Sequence, residues 1–401
     1  MKPHLKLYRA ISELHNPEAV QSAHQDLFAA LEPVFDIEML PLDALKDADD
    51  VAFLFVATGG VEEGVREAVA RSRVSGIYLV ADGLQNSLAA SMEIAAWLGA
   101  KGIGARIVHG APDDMAHELL SVQRAEALRG CRVGLIGGAS GWLISSDIDF
   151  GKVGERYGIE FVRIGLDEVI EEYHRSEPAV VEGIGSLRRV EPTAEDLDKA
   201  LRLTSAIGTV VNRYRLDAFT LKCFDLLAPL GTTGCMALAV FNSRGIPAGC
   251  EGDVPALLTM LLARRVMGVE AFMANPSHID RVNNRIIFAH CTLPLAMAER
   301  NILRSHFESG IGVALQGVLP LGDVTVVKWW GPEMEHYFIS RGRLVENLDN
   351  PSMCRTQVCL ALDESVDYFL TNPLGNHHII LLGDHSEAFR RFFTSNRRLR
   401  E

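Results

Sequence analysis

Twice near the N-terminus, a short run rich in Val, Ile and Phe leads through glycine into a segment of helical periodicity. VAFLFVA (51–57) precedes EEGVREAVARSR, and GIYLVA (76–81) precedes NSLAASMEIAAWLGAKG. Strand, turn and helix in that order form a βαβ rhythm, which requires a parallel sheet covered by helices. A third run, ARIVHG, closes this unit near residue 110. The helix DDMAHELLSVQRAEALRG then ends in glycine, and the rhythm restarts at CRVGLIGGASGWLISSD and EFVRIGLDEVIEEY.

With 401 residues the chain is too long for one hydrophobic core, so the restart marks a second domain. The boundaries read as an N-terminal α/β domain over 1–128, a middle α/β domain over 129–284, and a C-terminal β-rich domain over 285–401. From about 285 the runs IIFAH, GVALQGVL, DVTVVKWW, HYFISRGRLVEN, QVCLAL and HHIILL follow one another. No long helix intervenes after 308 until EAFRRFF. The expected fold is thus two Rossmann-like parallel-sheet domains followed by a barrel-like β domain.

A formal charge of −13 argues against nucleic acid as a partner, and the basic RRFFTSNRRLR reads as an exposed helix end or subunit contact. No apolar run reaches the ~18 residues of a membrane span, and the N-terminus lacks a secretory h-region, so a cytoplasmic location without a membrane partner is expected. The cysteines, Cys131, Cys223, Cys235, Cys250, Cys291, Cys354 and Cys359, are odd in number and lack a CxxC pair. They read as reduced core thiols.

The glycine-rich turn GLIGGASGW fits neither GxGxxG nor GxxxxGK[ST], and reads as a tight βα turn. More is asked of GCEGDVPALL (249–258), where Glu251 and Asp253 straddle a glycine between two apolar runs. An unpaired buried charge is costly, so something must hold them. Asp253 suits the cap of a helix beginning at Val254-Pro255. Glu251, ahead of the cap, points to a site at the C-terminal edge of the sheet, where α/β folds bind ligands.

Further donors lie in FMANPSHIDRVNNRIIFAHCTLP (Asn275, His278, Asp280, His290) and in NPLGNHHIILLGDH (His377, His378, His385). Adjacent histidines entering a strand alternate faces, so at most one of His377 and His378 serves a given site. Oxygen and imidazole donors without thiolate suit Mn²⁺, Fe²⁺, Co²⁺ or Mg²⁺.

CEGDVPALLTMLL, FMANPSHID, FAHCT and GNHHIILLGDH, together with GGASGWLISSD and HFESGIGVALQG, resemble the L-fucose isomerase and L-arabinose isomerase superfamily from about residue 131 to 390. The N-terminal unit is similar only in its rhythm and in NSLAASMEIAAWL. The resemblance implies that Glu251 is both metal ligand and proton-transfer group, and that Asp253 is a second acid/base or supporting residue. It makes His290 a ligand, along with one of His377 and His378, His378 being preferred. Asn275 stands where the family has a ligating carboxylate, so the metal loses a charge there or Asp280 substitutes. Trp142, Arg213, Lys222 and Gln316 are candidate sugar contacts.

The implied activity is that of a divalent-metal-dependent aldose–ketose isomerase, with Mn²⁺ the expected ion. It would act on an open-chain sugar through an enediolate, in a homotrimer or homohexamer with sites at subunit interfaces, and need no organic cofactor. The chain is shorter than these isomerases generally are, which marks it as a divergent branch. The competing reading is a non-catalytic sugar-binding or regulatory protein on the same scaffold.

Overall fold

The computed structural model describes residues 2–48, 51–126 and 128–398. It divides into two compact units. One runs to Arg124 and takes in the segment from Arg391; the other is Ala125–Arg390.

In the first unit, β1 (His4–Ala10), β2 (Asp36–Pro41), β3 (Val51–Val56), β4 (Gly76–Val80) and β5 (Gly104–Val108) form a parallel sheet in the order β2-β1-β3-β4-β5. Alternate side chains feed two separate cores. Leu54, Val56, Ile77 and Leu79 pack on one face, and Leu5, Leu7, Phe55 and Tyr78 on the other. Helices Glu62–Ala70 and Ser87–Ala100 cover the first face, and Gln25–Leu31 and Pro112–Glu126 the second. A sheet buried on both faces must be apolar at nearly every position, which is why VAFLFVA shows no polar alternation.

The second unit opens with β6 (Arg132–Ile136), β7 (Glu160–Ile164), β8 (Arg188–Arg189), β9 (Ala218–Leu221) and β10 (Ala248–Cys250). Four of these make a parallel sheet in the order β10-β9-β6-β7. The chain leaves β6 for β7 on one side and returns to β9 on the other, so the order reverses between β6 and β9. Such a switch point opens a crevice at the C-terminal ends of the strands. The glycine-rich turn after β6, Lys222 after β9 and Glu251 after β10 all lie along that edge.

The chain continues through β11 (Phe272–Asp280), β12 (Arg285–His290), β13 (Arg300–Arg304), β14 (Ala314–Val318), β15 (Gly322–Trp330), β16 (His336–Leu348), β17 (Thr356–Leu362) and β18 (His378–Leu382). Six of them close an antiparallel barrel in the order β11-β12-β17-β16-β15-β18. FMANPSHID is therefore a barrel strand, ahead of the onset of the β-rich run at 285; Pro276 and the register shift beside it mask its alternation. The barrel interior takes every second residue, including Phe272 and Ala274, Ile286 and Phe288, Val324 and Val326, Val358 and Leu360, and Ile380.

Between the sheet and the barrel lies the helix Val254–Leu262, with all nine residues buried. A helix that is apolar all round is one packed on all sides. Thr259, its polar exception, accepts the Trp329 backbone N–H at 3.2 Å, tying the helix to β15. No helix among the described residues is long and apolar enough to cross a membrane.

Candidate active site at the EGD turn

β10 ends at Cys250, and the next two residues turn left-handed, Glu251 with φ 60° and Gly252 with φ 75°. Glycine takes this conformation freely, whereas for a glutamate it costs about 1–2 kcal/mol. Strain of this kind persists only where surrounding contacts enforce it. Here the glycine-rich turn enforces it. Ser140 N–H donates to the Glu251 carbonyl at 3.0 Å, and a Cβ on Gly252 would overlap the Gly138 carbonyl and Ala139 Cα. The GGASG segment is the bed on which the EGD turn lies. Gly252→Ala should cost at least about 2 kcal/mol of stability, read as a lowered urea midpoint, because neither backbone can retreat.

Immediately after the bed, Trp142 Nε1 donates to Glu251 Oε2 at 2.6 Å. The indole is 53% exposed and packs edge-on against Phe224, which in turn meets His306. Glu251 Oε1 lies 3.6 Å from His377 Nε2. Burial would raise the glutamate's pKa, but the nearby His377, with His290 and the Trp142 hydrogen bond, outweighs it, and the pKa falls to about 2. The carboxylate is ionised at neutral pH.

Asp253 caps the helix Val254–Leu262, its Oδ1 accepting the Ala256 N–H at 2.9 Å. Its Oδ2 accepts from His377 Nδ1 at 2.9 Å and lies 3.8 Å from Lys328 Nζ. Asp253, Lys328 and His377 are all 0% exposed. Burial opposes the aspartate's charge, yet Lys328 and His377 hold its pKa well below the carboxylate range. Burial in turn pushes the Lys328 ammonium's pKa down.

It is His377 that the structure brings to the two carboxylates. His378, one residue on, pairs across the ladder with Ala274 inside the barrel. There it bonds the Tyr368 hydroxyl at 3.1 Å and lies among Phe288, Phe338 and Phe369. His290 reaches the site from the end of β12, its ring centroid 5.4 Å from that of His377 and its Nδ1 2.9 Å from Thr292 Oγ1. Burial lowers its pKa to about 3, leaving a neutral imidazole with lone-pair capacity.

Donor atoms of Cys250, Glu251 and His290 all lie within 4.8 Å of one another. Buried polar atoms of this region that lack a hydrogen-bond partner include His377 Nε2 and Asn275 Oδ1, along with Ser140 Oγ and Lys328 Nζ. Asn275 follows Ala274 on β11, beside the His377 position. In its neutral form, with Nδ1–H donating to Asp253, His377 presents an Nε2 lone pair beside an ionised carboxylate and a neutral imidazole, donor classes that a divalent cation takes. Cys250, Glu251 and His290 are thus close enough to share an ion, and His377 Nε2, 3.6 Å from Glu251 Oε1, borders them.

The remaining candidates are placed elsewhere or only at the margin. Asp280 accepts from Val282 N–H and Asn283 N–H in the β11–β12 turn, at the other end of β11 from the cluster. Arg213 is paired with Glu168 and Glu172 on the helical surface, and Gln316 accepts from Arg304 at 2.7 Å. Lys222 lies on the sheet edge but is bound to Asp225 at 2.9 Å. His278 is exposed and His385 bonds the Leu382 carbonyl. Lys328 carried no signal in the sequence, because a lysine in a strand normally marks the solvent face.

The cluster predicts a pH dependence. The carboxylates raise the His377 pKa from 6.5 to about 8 although burial works to lower it. Its contribution, about 2 kcal/mol, is full below pH 6.5 and is lost as pH rises through about 8. Glu251 acts with the opposite sign, contributing above its ordinary 4.5 and losing that as pH falls through about 2. Chelator-treated protein should therefore melt progressively lower between pH 6.5 and 8.5, and His377→Gln should flatten that slope.

Over part of its length the chain is similar to two sugar isomerases. Across 215 residues, 50% of the chain and 48% of the relative, it is 22% identical to the sulfoquinovose isomerase of Alkalicoccus urumqiensis. Across 99 residues, 24% of the chain and 22% of the relative, it is 30% identical to the sulfoquinovose isomerase of Clostridium sp. (strain MSTE9). No family model matches the chain. At most, the similarity spans about half the length of these curated relatives.

Proposed function

We propose that the chain is a divalent-metal-dependent aldose–ketose isomerase. The observation that carries this reading is the convergence of Glu251, His290 and His377 at the switch-point edge, with His377 Nε2 unpartnered and facing the Glu251 carboxylate. The sugar isomerases named among its relatives support it.

A proton must move between C1 and C2 of the open-chain sugar while charge develops on the adjacent oxygens. Bound by Glu251, His290, His377 and Asn275, a divalent ion such as Mn²⁺ supplies Lewis-acid stabilisation of that charge. Glu251 takes the proton from one carbon and returns it to the neighbouring one, both lying on the same side of the bound sugar. The Trp142 indole fixes one oxygen of the carboxylate, and the other faces His377 Nε2 at 3.6 Å. Asp253, with both oxygens engaged and no exposed surface, acts through His377 and touches no substrate. The half-exposed Trp142 ring offers an apolar face for the sugar.

Trp142, bonded to Glu251, and Ile144, two residues on, are 53% and 91% exposed, apolar surface that a second copy of the chain would cover in a trimer or hexamer. The substrate to test first is sulfoquinovose, the sugar in the relatives' name. Purified protein supplemented with Mn²⁺, Co²⁺ or Mg²⁺ should convert it or another aldose of a panel including L-fucose and L-arabinose. Sugar binding without turnover under every metal would instead favour a non-catalytic sugar receptor.

A further inference from the structure

We infer that Cys250 is a thiolate ligand of the same ion, so that the centre prefers thiophilic metals. This rests on the metal-site reading above and adds to it a donor of a different class. Cys250 Sγ is one of the three donor atoms lying within 4.8 Å of one another, together with Glu251 and His290. Its position is fixed by the strand end: β10 stops at Cys250, and the strained turn of Glu251 follows at once.

The charge balance asks for such a donor. Asn275 contributes a neutral oxygen, His290 and His377 contribute neutral nitrogens when they ligate, and the Asp253 charge is matched by Lys328 at 3.8 Å. Glu251 alone leaves a divalent ion with one uncompensated charge in a largely buried site. A thiolate at Cys250 makes the balance neutral. When the ion binds, the sulfur lone pair engages it and the thiol proton leaves to solvent.

The surroundings suit a ligating sulfur. Cys223 Sγ stands 2.9 Å from Cys250 Sγ, placed to donate its S–H to a thiolate. The Cys250 backbone N–H donates to Met273 Sδ at 3.4 Å, which puts a second soft sulfur behind the ligand. Support of a ligand from behind tunes both its orientation and its affinity. A sulfur donor shifts preference from Mg²⁺ and Mn²⁺ toward Co²⁺, Fe²⁺ and Zn²⁺.

Anaerobic titration of the full-length, chelator-treated protein with Co²⁺ tests this without any turnover. The expected result is a thiolate-to-cobalt charge-transfer band in the near ultraviolet that saturates at one ion per chain. Cys250→Ser should lose the band while still binding Co²⁺, at least about tenfold more weakly. Cys223→Ser should keep it. The wild-type spectrum decides the matter even if the Cys250 variant fails to fold. Stoichiometric Co²⁺ binding without the band, or a band that survives in a folded Cys250→Ser or Cys250→Ala protein, overturns the inference and leaves the metal site standing. Absence of any Co²⁺ binding overturns both.

Discussion

Asp253→Ala is expected to lose about 4–6 kcal/mol, enough to bring the second unit to the edge of unfolding. Removing a side-chain cap costs about 1 kcal/mol, and the helix Val254–Leu262 loses its acceptor for Ala256 N–H. Breaking a buried ion pair costs about 3–5 kcal/mol more, because Lys328 is left fully buried without its counter-charge and His377 without its acceptor. The double variant Asp253→Asn/Lys328→Met separates the two parts. It keeps a capping oxygen and removes both charges together, so most of the loss should return. Urea midpoints of the three proteins check this, and a double variant no more stable than Asp253→Ala would refute the ion-pair account.

The second large effect is on activity. Glu251→Gln keeps an oxygen for Trp142 Nε1 and the same left-handed backbone, so the fold should persist. An amide cannot accept the substrate proton and ligates a cation without charge. Since general-base catalysis contributes about 10²–10⁴-fold, and metal affinity falls in addition, kcat should drop by at least about 10³-fold. Trp142→Phe, which only frees one carboxylate oxygen, should fall well short of that.

Much of this architecture was legible in the sequence, for physical reasons. Parallel strands buried on both faces are continuous apolar runs, and VAFLFVA and GIYLVA announce themselves as such. The β-rich end was equally plain, because successive runs such as DVTVVKWW and QVCLAL have no helix between them. The acids of GCEGDVPALL were conspicuous because apolar flanks leave a carboxylate nothing local to pair with. Proline at the second helical position marked Asp253 as a cap, which it is.

What stayed hidden depends on partners far away in the chain. The GGASG turn has no phosphate-loop spacing because its first two glycines serve a left-handed turn, φ 80° and 77°, whose backbone packs against Gly252, more than a hundred residues later. Strand alternation said that at most one histidine of the 377/378 pair serves the site, but the choice of His377 follows from which face of β18 lines the barrel. Lys328 was invisible, since only the tertiary fold buries it opposite Asp253. Arg213 and Gln316 looked available because the side chains that bind them, Glu168 with Glu172 and Arg304, lie on other elements.

The central claim is that Glu251 is the group that moves the substrate proton. In deuterium oxide, with the divalent ion and the sugar that the panel identifies, wild-type protein should exchange the C1 or C2 hydrogen with solvent, observed by NMR as loss of that proton signal. Glu251→Gln, folded and loaded with metal, should show no exchange above the protein-free rate. Exchange by the variant at the wild-type rate would contradict the account.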